Sequence, residues 1–306
     1  MRRFSGISTT QLARICGVSQ GTVDRALHGR SGIARETRER ILAIAREYDY
    51  IPHLGGASGG NSMLIGVVLF DLYNEFFSKL AMSIVNTARR FGYSIIFQFS
   101  GKDLRREREA VEYFDSVGVD GILLFSVGSD SEEYGNYLRS LKKPLVLTGN
   151  RMEALPYVGI DDLYAMAELT RRFAATVPSG ALQYYAPILK QPLHALNAQR
   201  LRREGFEREM IAAGRDYRIM TDIDGLSPAE GIICSTDYYA LQVMKHFDDQ
   251  KKIPICGFDN ISLLKQLNAR ILTVEYSTDR IAEECINYIL GRDYTSQIEC
   301  KVVLSE

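Results

Sequence analysis

The chain has 306 residues, of which 46% are hydrophobic and 25% charged, and its formal net charge at pH 7 is −1. This length suits a small domain followed by a larger one, and the apolar content is sufficient for packed cores. The first 60 residues hold nine Arg against five Asp or Glu, a balance of +4, so the remainder carries −5. A basic segment on an acidic body is typical of a protein that contacts phosphate through that segment alone.

Several classes of protein are disfavoured by what the sequence lacks. The five cysteines, at positions 16, 234, 256, 285 and 300, form no CxxC pair and have no partnering His at metal-ligand spacing. We therefore expect small buried thiols in a reducing cytoplasm and no metal site. No apolar signal region begins the chain, and no segment is long enough to span a membrane, so the expected location is the cytoplasm. There is no phosphate-binding loop and no Ser/His/Asp or Cys/His set, so we expect neither an enzyme nor a cofactor.

Residues 8–28 (STTQLARICGVSQGTVDRALH) predict two short helices joined by a Gly-Val turn. Ser8 and Gln11 form a capping box at the first helix, and Ser19 is a suitable N-cap for the second. Apolar side chains at helical spacing would face inward from Leu12, Ile15, Val23 and Leu27. The pattern predicts a helix-turn-helix, whose second helix enters the major groove of DNA, although an ordinary helical hairpin has the same bare pattern.

The outward face of the second helix carries the side chains that can donate to base edges or phosphates: Gln20, Thr22, Arg25 and His28. Arg25 is the best candidate for a bidentate contact with guanine. Gly21 has no side chain with which to read a base. Asp24 would repel phosphate, and its alternatives are to pair with His28 one turn on or to accept a hydrogen bond from a cytosine amino group.

Residues 5 to 52 closely resemble the DNA-binding head of the LacI family of bacterial regulators, the lactose- and purine-repressor type. The matching pieces, in order and at fixed spacing, are Leu12-Ala13, Gly17-Val18-Ser19, Thr22-Val23, Arg25-Ala26-Leu27, Glu36-Thr37-Arg38-Glu39-Arg40-Ile41 and Tyr50-x-Pro52. A third helix over about 36–48 would place Ile41, Ile44 or Ala45, and Tyr48 in the core of the head. We expect the DNA contacts to come from Thr10, Ser19, Gln20, Thr22, Arg25, His28 and Leu54.

The segment after Tyr-x-Pro departs from the family. A short hinge helix normally follows, with a Leu that enters the minor groove at the operator centre. Here residues 54–60 read LGGASGG, and each Gly costs roughly 1 kcal/mol relative to Ala in a helix. We therefore interpret residues 53–62 as a flexible linker, in which only Leu54 is available for that insertion.

From Met63 onward, apolar runs alternate with helical stretches. Strands are predicted at 63–70, 93–99, 120–126, 144–148, 181–186, 217–220, 230–234 and 253–257, and helices at 75–91, 104–117, 131–141, 161–177, 197–213 and 237–248. Such alternation predicts doubly wound parallel sheets covered by helices. The expected fold class is an all-α helix-turn-helix head followed by an α/β domain.

Most of residues 63 to 292 resemble, more loosely, the effector domain of the same family, which is a type I periplasmic-binding-protein-like fold with two lobes around a cleft. The clearest pieces are Ile65-Gly66-Val67-Val68, Asn74-Glu75-Phe76-Phe77, Val119-Asp120-Gly121-Ile122, Arg202-x-x-Gly205-Phe206, Asp237 with Ala240-Leu241, Gly257-Phe258-Asp259 and Leu272-Thr273-Val274. The resemblance implies a head at 1–52, a linker at 53–62 and an effector domain at 63–306. Its N-lobe would span about 63–157 plus 276–292, and its C-lobe about 160–272 plus the C-terminal tail.

The resemblance also implies an effector site at the strand ends, where open α/β sheets bind their ligands. Asn74, Phe76 and Phe77 would line the N-lobe wall, Arg202 would present its guanidinium to ligand oxygens, and Asp259 would accept from ligand hydroxyls. Asn150 and Arg151 stand where many relatives have Asp-Arg, and Thr236 where the family often has Asn. The alternatives are purely structural: Phe76 and Phe77 as core, Arg202 on a solvated charged face, and Asp259 as a helix N-cap.

The C-lobe shows a further departure. Only eight residues, DIDGLSPA, separate the predicted strand ending near Thr221 from the next one at Glu230. A connection between two parallel strands usually needs a dozen or more residues and commonly contains a helix, so we expect a truncated C-lobe. The two resemblances together imply a DNA-binding regulator, a repressor that acts as a homodimer on a pseudo-palindromic operator and is controlled by a sugar or sugar derivative. The alternative is a regulator whose shortened C-lobe binds no ligand and serves for dimerisation.

Overall fold

The computed structural model describes residues 9–27, 31–48, 62–128, 131–177, 180–187, 197–247 and 253–305. The helices formed by these residues are α1 (Thr9–Cys16), α2 (Gln20–Leu27), α3 (Arg35–Glu47), α4 (Glu75–Arg90), α5 (Leu104–Val117), α6 (Glu132–Ser140), α7 (Asp162–Thr176), α8 (Asn197–Ala212), α9 (Asp237–His246), α10 (Ser262–Gln266) and α11 (Thr278–Ile289). The strands are β1 (Leu64–Leu69), β2 (Ser94–Phe99), β3 (Gly121–Leu124), β4 (Leu145–Thr148), β5 (Tyr157–Val158), β6 (Leu182–Tyr185), β7 (Tyr217–Met220), β8 (Gly231–Cys234), β9 (Ile255–Cys256), β10 (Leu272–Tyr276) and β11 (Cys300–Leu304). No helix in these ranges is long and apolar enough to cross a membrane.

The head is a three-helix unit around its own small core. Buried side chains from α1, α2 and α3 form that core: Leu12, Ala13, Cys16, Val23, Ala26, Ile41 and Ala45. Gly17, with φ +64°, makes the turn after α1, because this left-handed conformation is open to glycine at little cost. Two expected core positions are wrong, since Ile15 is 42% exposed and Tyr48 46% exposed.

The N-lobe is built on a five-stranded parallel sheet in the order β2-β1-β3-β4-β5. Alternate residues of its strands point to opposite faces. Side chains of α4 and α11 pack on one face, and side chains of α5 and α6 pack on the other. The sheet is therefore covered on both sides, as the apolar runs predict.

The C-lobe has a six-stranded sheet in the order β11-β10-β9-β8-β6-β7. Its strands are parallel except for β11, which pairs antiparallel with β10. Helices α7 and α8 cover one face, while α9 and α10 cover the other. The predicted doubly wound α/β architecture is confirmed, and the antiparallel edge strand is an addition to it.

The chain passes between the two sheets at three described segments. Residues 159–161 connect β5 to α7, residue 277 connects β10 to α11, and residues 290–299 connect α11 to β11. Helix α11 thus returns to the N-lobe after the C-lobe is almost complete, and it packs extensively against α4. Each lobe is assembled from segments that are distant in sequence.

The short connection in the C-lobe contains only a 3-10 turn, η1 (Ile223–Gly225). It joins β7 to β8, which lie on opposite sides of β6. The fully buried side chain of Gln183 supports it, donating from Nε2 to the Ser227 carbonyl at 2.9 Å and accepting from the Ser227 N–H at 3.0 Å. Leu226 packs onto the sheet beside this pair. The expected absence of a helix here is confirmed, and a buried amide and one apolar side chain support the loop in its place.

Candidate effector cleft and DNA-binding surface

A cavity of about 410 Å³ lies at the carboxyl ends of the strands, between the two lobes. Seven of the eight residues predicted for the effector site line it: Asn74, Phe76, Phe77, Asn150, Arg202, Thr236 and Asp259. This is the position that the strand-end rule gives for ligands of open α/β sheets, and the volume lies in the range of small-molecule pockets.

The N-lobe wall of the cavity is aromatic. Asn74 is the N-cap of α4, because its Oδ1 accepts from the Phe76 N–H at 3.0 Å, and the next residues project from the first turn. Phe76 and Phe77 meet Phe125 with ring centres 6.2 Å and 4.9 Å apart. Phe77 also belongs to the hydrophobic core, so this residue both packs in the core and lines the cavity.

The C-lobe wall is polar and centres on Arg202 of α8. Its Nε donates to Asp162 Oδ1 at 2.7 Å, its Nη1 donates to the Ser235 carbonyl at 2.9 Å, and its Nη2 lies 3.4 Å from Asp259 Oδ1. The guanidinium also lies over the ring of Phe258, 3.7 Å from its centre. Arg202 is only 7% exposed, so the alternative of a solvated charged face is wrong.

Two carboxylates share this one guanidinium. Burial raises the pKa of Asp162 to about 6, although Arg202 opposes the shift. Burial raises the pKa of Asp259 as well, while Arg202 and the hydroxyl of Tyr276, which donates to Oδ1 at 2.8 Å, oppose it. For Arg202, burial lowers the pKa, but the two carboxylates outweigh it and raise the pKa overall. One formal negative charge is left without a cation in this triad, and hydroxyl donors of a ligand would stabilise it.

Asp259 sits in an unusual turn and does not cap a helix. Its φ is +105°, and that of Asn260 is +44°, a region that L-residues rarely adopt. Ile261 is the N-cap residue of α10 and makes no side-chain cap bond, so the N-cap alternative for Asp259 is wrong. The buried carboxylate of Asp237 stabilises this turn, because it accepts a hydrogen bond from the Ile261 N–H at 3.1 Å.

Asn150 joins the two lobes at the side of the cavity. Its Nδ2 donates to the Ser126 carbonyl at 2.8 Å, and its Oδ1 accepts from the N–H of Ala198 at 3.2 Å. Arg151 is the one predicted effector residue that does not line the cavity. Its side chain is exposed, and its guanidinium lies 4.6 Å from the ring centre of Tyr157.

Thr236 caps helix α9, since its hydroxyl accepts from the N–H of Tyr239 at 3.3 Å. Sequence reasoning missed several other lining residues, among them Phe70, Phe125, Tyr157, Asp162 and Tyr276. Most of them lie at or just after strand ends, and that position is the signal that could have identified them. Within the described residues, no group of three or more His, Cys, Asp or Glu side chains is arranged to hold a metal ion.

In the head, four of the predicted DNA contacts form two hydrogen-bonded pairs near the start of α2. Ser19 caps the helix, accepting from the Thr22 N–H at 3.2 Å, and the two hydroxyls are 2.9 Å apart. The side-chain amide of Gln20 donates to the hydroxyl of Thr10 in α1. Arg25 is exposed on the same helix. The other two predicted contacts, His28 and Leu54, lie outside the described residues, as does the glycine-rich segment up to residue 61.

The helical head and the two-lobed body with its cleft define the class of DNA-binding regulators with a periplasmic-binding-protein-like domain. The family model "Bacterial regulatory proteins, lacI family" matches residues 10–53. A second model, "Periplasmic binding proteins and sugar binding domain of LacI family", matches residues 62–227, which is more than half of the chain. The protein belongs to the LacI family. The second match ends within the short connection between β7 and β8.

Relatives and solved structures resemble the chain over nearly all of its length. It is 26% identical to the sucrose operon repressor of Pediococcus pentosaceus, covering 96% of this chain and 95% of that protein. It is 28% identical to the ribose operon repressor of Bacillus subtilis, and the match covers 92% of this chain and 90% of that protein. The crystal structure of a LacI-family transcriptional regulator from Silicibacter pomeroyi superimposes on this chain with a TM-score of 0.69 and 20% sequence identity. The match covers 97% of this chain and 98% of that one.

Proposed function

We propose that this protein is a transcriptional repressor that binds a pseudo-palindromic operator as a homodimer and is controlled by a sugar or sugar derivative bound between its lobes. The domains would be a DNA-binding head at 1–52, a linker at 53–62 and an effector and dimerisation body at 63–306. The observation that carries the proposal is the cavity, where seven predicted effector residues converge.

The chemistry of the two walls suits a carbohydrate. A sugar ring presents apolar C–H faces, which pack on aromatic rings such as Phe76, and hydroxyl groups, which bond to charged side chains. Arg202 and Asp259 stand opposite the aromatic wall as donor and acceptor. Support also comes from the relatives, whose names associate them with sucrose and ribose operons.

Control would operate through the equilibrium between an open and a closed cleft. An effector shifts that equilibrium only if it binds one state more tightly than the other. Two heads in a symmetric dimer would then change their spacing relative to the two half-sites. A dimer is needed because one small head offers too few contacts for specific binding.

The second candidate is a regulator that binds DNA without an effector, which the missing helix between β7 and β8 favours. The retained cavity favours the first candidate. A thermal-shift screen with sugars separates the two candidates, since a ligand that binds only the folded state raises the unfolding temperature.

The test of the DNA-binding function is selection of bound fragments from genomic DNA by the purified protein at two salt concentrations. The proposal expects an inverted repeat whose half-sites are about one helical turn apart. Binding without a motif, lost steeply as the salt concentration rises, would mean that the head contacts only phosphate and would contradict the proposal.

A further inference from the structure

A carboxylate of the N-lobe caps a helix of the C-lobe. Glu75 lies in the first turn of α4, and its Oε1 and Oε2 accept from the N–H groups of Ser262 at 2.7 Å and Leu263 at 3.2 Å. These are the first residues of α10, whose own N-cap residue makes no side-chain bond. The N–H groups that open a helix need an acceptor, and here the other lobe supplies it.

Lys79 strengthens this bridge between the lobes. It lies one turn after Glu75, with its Nζ 2.7 Å from Glu75 Oε1 and 3.5 Å from the Asn260 carbonyl. Burial raises the pKa of Glu75, but the hydrogen bonds from Lys79 and Ser262 outweigh it and lower the pKa overall. The carboxylate therefore remains charged at neutral pH and keeps both acceptor atoms.

The capped helix begins directly after the turn that presents Asp259 to the cavity. Asp259 and Asn260 both have positive φ, a conformation that persists only when its surroundings hold it. Within the C-lobe, Thr273 and Asp237 accept from the N–H groups of Asn260 and Ile261, both at 3.1 Å. Glu75, together with its partner Lys79, restrains this segment from the other lobe.

We propose that Glu75 is a positioning residue of the effector cleft, which fixes the Asp259 turn by capping α10 from the opposite lobe. Closure of the cleft then also fixes the position of Asp259 in the C-lobe wall, because the cap forms only when the two lobes are together. Opening the cleft would move the Glu75 carboxylate away from α10. The N–H groups of Ser262 and Leu263 would then lose this acceptor, and the turn at Asp259 would lose this restraint.

The test compares Glu75→Ala and Glu75→Gln with the full-length wild-type protein. The matched control is Asp103→Ala, because Asp103 also caps a helix with its carboxylate, accepting from Arg105 and Arg106 at 2.8 Å and 3.3 Å, but within the N-lobe. Amide hydrogen exchange followed by mass spectrometry reports residues 257–266 and residues 104–117 separately, and small-angle X-ray scattering reports the distance between the lobes. Neither measurement needs an effector.

We expect Glu75→Ala to speed exchange in 257–266 by about fivefold, the effect of losing a typical cap, and to increase the radius of gyration. Glu75→Gln, which keeps one carbonyl oxygen, should fall between Ala and the wild type. Asp103→Ala should speed exchange in 104–117 only and leave the scattering unchanged. Equal exchange in 257–266 for the wild type and Glu75→Ala, or scattering curves that superimpose, would overturn the proposal.

A second arm connects the cap to the effector, and only this arm rests on the proposed function. Calorimetric titration with D-ribose and with sucrose should show an affinity at least about fivefold weaker for Glu75→Ala than for Asp103→Ala. Equal affinities for the two variants would overturn the role in the effector site. If neither sugar binds the wild type, the choice of these sugars is wrong, and the exchange and scattering arm still decides whether the cap holds the lobes.

Discussion

Arg202 and Asp162 form an ion pair with a 2.7 Å separation inside the protein, where their side chains are 9% and 4% exposed. The two residues come from adjacent helices, α8 and α7, and face the same cavity. An ion pair of this kind gains its strength from a low dielectric, but each charge would be costly if it stood alone there. The pair is thus a structural part of the cavity wall.

Removing this guanidinium should destabilise the body. Arg202→Ala leaves Asp162 and Asp259 buried without their cation, and we expect a loss of about 3–5 kcal/mol in the free energy of unfolding. The loss should shrink as the pH falls from about 8 to about 5, because both carboxyl groups then take up protons. Urea denaturation followed by circular dichroism measures it. Arg203→Ala is the control, since Arg203 is half exposed and pairs with Glu207 on the surface, an interaction worth at most about 1 kcal/mol. Equal losses for the two variants would contradict the buried pair's importance.

The buried carboxyl group of Glu107 predicts a pH dependence of stability that arises away from the cleft. Glu107 accepts from the Ser126 hydroxyl at 2.6 Å and from the Val127 N–H at 2.7 Å, yet burial raises its pKa from 4.5 to about 7. Since the folded pKa lies above the unfolded one, its stabilising contribution is complete below pH 4.5 and is lost as the pH rises through 7.

Glu107→Gln mimics the protonated acid and should match the wild type near pH 4.5. Its relative stability should then grow with pH, to a gain of up to about 3 kcal/mol at pH 8. Denaturation at several pH values measures the difference, and Glu109→Gln, an exposed position on the same helix, is the control. A difference from the wild type that stays constant with pH would show that Glu107 ionises normally.

Two helical glycines should respond to alanine with opposite signs. A Cβ at Gly205 would lie 2.3 Å from the carbonyl oxygen of Leu163, because α7 and α8 touch there, so Gly205→Ala should cost at least about 1–3 kcal/mol. At Gly21 of α2 the nearest atom, the Ser19 hydroxyl oxygen, is 3.9 Å away, and Gly21→Ala should stabilise the head by about 0.5–1 kcal/mol. Thermal unfolding of both variants gives the signs. A stabilised Gly205→Ala variant would refute the close packing of the two helices.

Arg25 should carry base specificity. We expect Arg25→Ala to weaken binding to the selected operator by about 1–3 kcal/mol and to relax one operator position. Fluorescence anisotropy with the operator and its single-base variants measures this. Arg35→Ala serves as the comparison, because Arg35 is also exposed but pairs with Glu39 on α3. Equal weakening of Arg25→Ala on every sequence would reduce its role to a phosphate contact.

The sequence pattern was sufficient to predict most helices and strands. The long helices bury one apolar side and expose the other, and the central strands are short apolar runs because they are buried on both faces. The strands β5, β10 and β11 were not among the predicted strands, for physical reasons. Strand β5 has two residues, which are too few for a pattern. In β10 the polar Thr273 and Glu275 interrupt the apolar run, and β11 is an antiparallel edge strand that contains the charged Lys301. Helix α11 was included only as a segment returning to the N-lobe.

The site was predictable where a residue follows a strand, and less so where its role depends on distant partners. Asp162 stands next to the N-cap residue Asp161 and has the sequence position of an ordinary first-turn acid. Its partner, Arg202, is 40 residues away, and no local pattern connects them. The same holds for Glu75, whose contact with Ser262 spans 187 residues.

The late return of α11 to the N-lobe has a consequence for biosynthesis. This helix packs against α4 and the sheet of the first lobe, and Ile289 at its end lies against Gly121 in β3. During translation, the N-lobe therefore cannot be completed until α11 has been synthesised, which happens after most of the C-lobe. Until then, the apolar face of the N-lobe that α11 covers is exposed. The nascent chain should depend on chaperones until about residue 290 has left the ribosome, and truncations before that point should aggregate.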